Sequence, residues 1–332
     1  MTWLVTGGSG FLGVHLLRRL AADGVAVRSL DVVPSEDEFS GVDVVVGDVR
    51  NEHVLREALD GVDVVVHAAA ALPSGGDLDS TNVVASERLA RACAEAGVVR
   101  SVFISSGVVY GLGRSPRREG DEPRPIEPYG RSKFRAEQLW LAAAPAPLVL
   151  RPAAFIGPER LGVFGILFRW IREGRRIYVI GDGSNRYQLL DVADLVSAVF
   201  LAAACEASGV LNVGGGISGT VRQDLEAVIE HAESSSRVVG VPARPARAAL
   251  GVLDALHLSP LSTWHIESAG RDFFLDCSRA AKVLGWEATR SGADALCGAY
   301  DWFARAGADA ASGTTHRSAW HERGLGLLRR VS

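Results

Sequence analysis

Tyr129 and Lys133 stand four residues apart in the stretch Tyr129-Gly-Arg-Ser-Lys133. Positions i and i+4 of a helix share a face, so a helix here would point a phenol and an ammonium into one site. A free tyrosine, with a pKa near ~10, is a poor base at neutral pH. A fixed cation one turn away favours the phenolate and moves the group toward the working range. The chemistry this allows is removal of a hydroxyl proton. Such a pair also occurs on ordinary solvated helices, so its meaning depends on the elements that hold it.

The first of those elements is Thr6-Gly-Gly-Ser-Gly-Phe-Leu-Gly13, which follows an apolar strand and opens a helix. Gly7, Gly10 and Gly13 are spaced by three, and Gly8 completes a GxGxxG. Glycines in that setting let the backbone turn tightly and approach a diphosphate, which the helix N-terminus stabilises. Asp31 ends the second strand, 18 residues after Gly13. A carboxylate there accepts hydrogen bonds from ribose hydroxyls and repels a 2′-phosphate, which favours NAD over NADP. Asp48, in Gly47-Asp48-Val49 after the third strand, has two readings of equal weight: a partner for the adenine amine, or the N-cap of the next helix.

Short Val-rich runs alternate with amphipathic stretches through the first 150 residues or so. Strands are predicted over 3–6, 26–31, 42–46, 62–67, 99–105 and 148–151. Helices are predicted over 11–23, 51–58, 80–96 and 129–143. Near-continuous apolar strands between helices specify an α/β fold, a Rossmann-type doubly wound parallel sheet covered on both faces. Beyond Pro158 the pattern predicts helices over 161–174 and 189–204, a strand over 176–180, and a strand over 210–213 that rejoins the sheet. The expected division is a nucleotide-binding part over 1–160, re-entered at about 186–213, and a smaller mixed α/β substrate-binding part over 161–305. A loosely packed tail is expected over 306–332.

At 332 residues with 48% hydrophobic and 22% charged residues, the chain suffices for one large and one small α/β unit. The net charge of −4 implies no basic face for nucleic acid. Cys93, Cys205, Cys277 and Cys297 lack metal-ligand spacing, so reduced thiols and no metal are expected. No secretory signal or membrane span is read, and a cytoplasmic location is expected.

With these segments in order, the chain resembles an extended short-chain dehydrogenase/reductase of the NAD-dependent sugar-nucleotide epimerase/dehydratase family, similar to UDP-galactose 4-epimerases. The resemblance rests on Thr6–Gly13, Asp31 with Gly47-Asp48, Ser105-Ser-Gly-Val-Val-Tyr-Gly111 and Tyr129–Lys133. His67-Ala-Ala-Ala70, Asn82-Val83, Arg151-Pro152, Gly157-Pro158, Asp191-Val-Ala-Asp194, Asn212-Val-Gly214 and Leu284-Gly-Trp286 extend it. It implies Ser106, Tyr129 and Lys133 as catalytic residues. Ser106 would bond the reacting oxygen and Tyr129, Tyr129 would take the hydroxyl proton, and Lys133 would lower the tyrosine pKa and hold the nicotinamide ribose.

The resemblance further implies NAD contacts from Gly7, Gly10, Phe11, Leu12, Gly13, Asp31, Asp48, Val49, Ala68, Ala69, Ala70, Asn82, Ser105, Tyr129, Lys133, Pro152 and Phe155. His67 is read as a core histidine ending a strand. Substrate contacts are expected from Ser106, Gly107, Tyr129, Arg186 and Arg271, with Arg244 and Arg247 as further candidates for a diphosphate. A homodimer through the helices over 80–96 and 129–143 is also implied.

Similar dehydratases and decarboxylases carry acids in the loop after Ser106, and similar epimerase/reductases carry a Cys there. Gly107 and Val108 supply neither. The favoured expectation is therefore a nucleotide-sugar 4-epimerase that oxidises one carbon and re-reduces it on the other face. Ala154 departs from the pattern, since relatives place a substrate-binding Asn there. Other expectations are a hydroxysteroid- or terpenoid-type alcohol dehydrogenase, a sugar-nucleotide dehydratase or ketoreductase, and a non-catalytic dinucleotide-binding regulator. The apolar stretch over 248–261 is read as packed core helix in preference to a pocket wall.

Overall fold

The structure, a computed structural model, describes residues 1–35, 39–72, 77–160, 162–217, 219–255 and 261–306, without the side chains of 252–255. The expected tail from Gly307 onward lies outside the described residues.

Seven parallel strands form the main sheet: β1 (Trp3–Thr6), β2 (Val27–Asp31), β3 (Val42–Val46), β4 (Val64–His67), β5 (Arg100–Ile104), β6 (Pro147–Pro152) and β10 (Gly209–Val213). Their order is β10-β6-β5-β4-β1-β2-β3. The chain runs outward from β1 to β3, then crosses to β4 and continues the other way. That reversal between β1 and β4 opens a crevice at the carboxyl ends of the strands, where ligands bind in such sheets.

The two faces are covered as the apolar periodicity demands. On one face α1 (Phe11–Ala22) and α6 (Val192–Ala204) bury Leu16, Leu17, Leu195 and Val199. On the other, α2 (Glu52–Leu59), α3 (Ala85–Glu95) and α4 (Pro128–Ala143) bury Leu55, Leu89 and Trp140. A third core lies in the smaller part, where α5 (Gly162–Arg172), α7 (Val221–His231) and α11 (Gly292–Ala306) pack Phe168, Val228 and Phe303. Two short parallel pairs serve it: β8 (Arg176–Ile180) with β11 (Arg237–Val241), and β7 (Ala154–Ile156) with β9 (Leu189–Asp191). Helices α8 (Ala243–Ala255), α9 (Thr263–Ser268) and α10 (Ser278–Leu284) complete the described elements.

Three expectations change. The stretch over 189–204 is not one helix, because Asp191 accepts from the Ala193 N–H at 2.8 Å as an N-cap and leaves Leu189–Asp191 as strand. The helix predicted over 80–96 begins as a π-helical turn over Asp79–Val84, a local widening frequent at functional sites. Asn51, not Asp48, caps α2, its side chain accepting from the His53 and Val54 N–H groups.

Candidate active site

The glycine loop is shaped by contact as well as by turn geometry. Gly7 has φ +74°, and a Cβ there would lie 2.7 Å from the Ala69 nitrogen. A Cβ on Gly13 would lie 2.1 Å from the Gly7 carbonyl oxygen, whereas one on Gly10 would meet only that oxygen, at 3.1 Å. The loop is thus pressed on Ala68 and Ala69 behind and open above Gly10, as a diphosphate requires. Asp31 stands beside it: Oδ2 accepts from the Ser9 N–H at 3.0 Å, and burial raises the carboxyl above its ordinary range. This cradle and its adjacent carboxylate fit a dinucleotide. Phe11, Leu12 and Val49 are buried, and Phe155 stacks on Phe11 with centroids 5.7 Å apart. Asp48 is held by its own loop, accepting from the Arg50 backbone N–H at 2.8 Å and from the Arg50 guanidinium.

A polar chain ties the β4 end to α4. Asn82, buried in the π turn, accepts from Ala71 N–H at 2.7 Å and donates to the Ser132 Oγ at 3.0 Å. Ser132 in turn donates to the Tyr129 carbonyl at 2.8 Å. Asn82 therefore positions the loop after Ala70 and the first turn of α4 together. His67 is the expected core residue: it contacts Thr6 Oγ1 at 2.6 Å and Ser86 Oγ at 2.9 Å and stacks on Trp140. Burial pushes it down to about 3, so it stays neutral.

Ser106 caps a short 3-10 turn (Gly107–Tyr110), its Oγ accepting from the Val108 N–H at 3.3 Å. The start of α4 presses on that turn, since a Cβ on Gly130 would come 3.3 Å from the Val108 oxygen. The turn and the helix thus bring Ser106 and Tyr129 to one end of the sheet. Among the described residues Ser106 and Tyr129 share no hydrogen bond. Ser105 donates instead to Glu137 at 2.9 Å, which is paired in the core with Arg151. Gly107 is buried with the Pro152 carbonyl 3.2 Å from where a Cβ would stand, so any side chain there would need its neighbour to give by a few tenths of an ångström.

The surroundings of Tyr129 act on its phenol in opposing ways. Burial pushes the phenol up to about 12, the Arg160 guanidinium opposes this, and Glu127 reinforces it. Lys133 is pushed down to about 7 by burial, with Glu137 opposing, and its Nζ lies over the Phe103 ring at 4.3 Å. Lys133 is packed into the core, and the charged groups that act on Tyr129 are Arg160 and Glu127.

Sequence reading missed these last two residues. Glu127 is buried and accepts from the Trp264 N–H at 3.1 Å, which joins the start of α4 to α9. Arg160 follows Gly157-Pro158, the only signal that pointed to it.

Beside Arg160 opens a cavity of about 930 Å³ in the smaller part, walled by side chains such as Val163, Phe164, Leu167, Val241 and Leu250. Arg160 and Asp224 are the base and the acid of its described lining, with His265 pushed down to about 4 by burial. Ala249, Leu250 and Leu261 line it, so the described part of the stretch over 248–261 forms pocket wall and not packed core. Arg186 and Arg271 do not line it. Arg186 faces Asp272 at 3.7 Å and stacks on Phe274, while Arg271 faces Glu267 at 3.6 Å. Arg247 donates to the Ala269 carbonyl at 2.7 Å.

The NAD dependent epimerase/dehydratase family model matches residues 3–214. The chain belongs to this family. Its NAD dependence agrees with the glycine cradle and Asp31. An uncharacterized protein of Sinorhizobium fredii (y4nG) is 33% identical over 98% of this chain and 85% of its own length. A 4-hydroxy-2-methyl-3-oxo-4-farnesyl-3,4-dihydroquinoline-1-oxide ketoreductase of Stigmatella aurantiaca is 30% identical over 89% of this chain and 96% of its own. The solved structure of MoeE5 with UDP-glucuronic acid and NAD is 29% identical, with a TM-score of 0.74, covering 92% of this chain and all of that one. The family fold and its cofactor class are thereby established. Among the described residues of this family member, no helix is long and apolar enough to cross a membrane, and no three His, Cys, Asp or Glu side chains group as a metal site.

Proposed function

We propose that this enzyme interconverts a secondary alcohol and its ketone on a substrate with a large apolar body. One observation carries this reading: the roughly 930 Å³ cavity beside Arg160 is walled mainly by hydrocarbon. A nucleoside diphosphate would need paired cations there, and Arg186 and Arg271 lie outside it. The Stigmatella ketoreductase, named for a substrate that carries a farnesyl chain, supports the same reading.

Bound NAD would supply the hydride acceptor for the carbinol carbon, and its reduced form the hydride donor for the ketone. Ser106 Oγ donates to the substrate oxygen. Tyr129 exchanges the hydroxyl proton at its own oxygen. A phenol held near 12 is protonated at neutral pH, the state that donates to a ketone oxygen as hydride arrives. Asn82 and Ser132 hold the turn that carries Tyr129, and Lys133 stands one turn behind it to bind the nicotinamide ribose. The glycine loop would hold the diphosphate, and Asp31 the adenine-side ribose.

Nucleotide-sugar 4-epimerisation is the second reading. Gly107 and Val108 favour it, since hydride and one proton suffice there, and so does the MoeE5 complex with its UDP-sugar. The proposal includes a nucleotide-binding part over 1–160 with 186–213, a substrate part over 161–305, a cytoplasmic setting and a homodimer through α3 and α4. Light scattering tests the dimer.

The two readings separate in one experiment. Purified protein is given NAD with hydroxysteroid and terpenoid alcohols, or with UDP-sugars, while absorbance at 340 nm and C4 stereochemistry by NMR are followed. Reduced cofactor from the alcohols supports the first reading. Inversion of a UDP-sugar with no turnover of any apolar alcohol replaces it with the second.

A further inference from the structure

Arg160 has no part in the hydride-transfer roles above, yet its placement is specific. Its guanidinium carbon lies 5.3 Å from the centre of the Phe11 ring and 5.1 Å from that of Phe155. Aromatic faces on a guanidinium fix its plane and leave its N–H edge for a hydrogen-bonding partner. Nη1 is buried and has no hydrogen-bond partner among the described residues. A buried donor left unmade is costly, and in a site open to a cavity the natural partner is a ligand acceptor. The ionisable side chains that face Arg160 are Tyr129, Tyr187 and His265, none of them anionic at neutral pH. Asp224, the acid of the cavity lining, belongs to α7 and has partners of its own.

We propose that Arg160 is the receptor for an anionic group, a carboxylate or phosphate, on the otherwise apolar substrate, held on the Tyr129 side of the cavity. This rests on the apolar-cavity reading above. The same chemistry is present in the dinucleotide's diphosphate. The substrate is favoured because Arg160 lines the cavity and faces Tyr187 and His265 of that same lining. A single cation in a hydrocarbon-walled site selects acids over their neutral analogues, because an uncharged group leaves the guanidinium unpaired. The substrate class this defines is a hydroxy or oxo acid, or a phosphate ester, with an apolar tail.

The test is calorimetric titration of NAD-saturated protein with decanoate and with its neutral amide, decanamide. Wild type is expected to bind decanoate about 10- to 100-fold more tightly, the range of a charge-assisted pair. Arg160→Gln should abolish that preference and leave decanamide unchanged, and Arg160→Lys should restore part of it. NAD affinity, titrated separately, should change by less than about threefold, well below the tenfold that a lost charged pair produces. Equal binding of decanoate and decanamide by wild type overturns the anion receptor while leaving the apolar cavity standing. Binding of neither overturns the cavity reading and the receptor with it. A tenfold loss of NAD affinity in Arg160→Gln, with the decanoate preference intact, overturns the proposal and assigns the guanidinium to the dinucleotide.

Discussion

The Lys133 ammonium lies 4.3 Å from the centre of the Phe103 ring, one helical turn beyond a tyrosine whose charged neighbours are Arg160 and Glu127. A buried ammonium over an aromatic face is held by cation–π attraction and by Glu137, yet burial prevails and takes Lys133 down to about 7.

This makes Lys133 a source of pH-dependent stability. Its folded pKa is below the unfolded value of 10.5, so between pH 7 and 10 the unfolded chain holds a proton that the folded chain has released. Stability from this group therefore rises with pH across that window, by at most about 1.4 kcal/mol per pH unit. Urea denaturation of wild type and Lys133→Met at pH 6, 7, 8 and 9 measures it. The stability of wild type relative to the variant should increase with pH, and a flat difference contradicts the burial argument.

Tyr129→Phe removes the proton-transfer oxygen and leaves the Tyr129 carbonyl that Ser132 holds. Turnover should fall about 10²- to 10⁴-fold, the range for a lost general acid or base. NAD affinity by calorimetry should stay within a few-fold. Activity that survives would move the proton to another group.

Two glycine substitutions separate folding from cofactor binding. Gly13→Ala puts a Cβ 2.1 Å from the Gly7 carbonyl, so the loop must open and both thermal stability and NAD binding should drop. Gly10→Ala meets only the Gly7 oxygen, at 3.1 Å, so the protein should fold while NAD binds less tightly. Thermal melts with and without NAD read both effects.

Glu137 and Arg151 form an ion pair buried between α4 and β6, and Ser105 donates to the same carboxylate. Glu137→Ala would strand the guanidinium and should cost about 3–5 kcal/mol in urea denaturation. Adding Arg151→Met to that variant should recover part of the loss, because the uncompensated charge is gone.

The sheet was legible because its strands are short apolar runs at regular intervals, and Gly7, Gly10, Gly13 and Asp31 announce the nucleotide end by type and spacing. Asn82, Tyr129 and Lys133 stood in recognisable motifs, but the environment of the phenol did not. Whether a cation lies beside Tyr129 depends on where Lys133 packs and on Arg160, which arrives from the loop after β7, 31 residues along the chain. The cavity was hidden for the same reason. Val163, Val241 and Leu250 look like core residues in one dimension, and only the assembled smaller part shows that they face a space. Arg186 was read as a substrate contact from a nearby motif, and that proximity says nothing of Asp272 and Phe274, which it contacts away from this cavity.

The central claim, that the hydride site serves a carbinol or ketone on an apolar body, is tested most directly by turnover of a 3-ketosteroid bearing a side-chain carboxylate with NADH, followed at 340 nm beside UDP-glucuronic acid with NAD. Steady loss of absorbance with the ketone, and an unchanged UDP-sugar by NMR, is the predicted result. An inverted UDP-sugar with no oxidation of NADH by the ketone would contradict it.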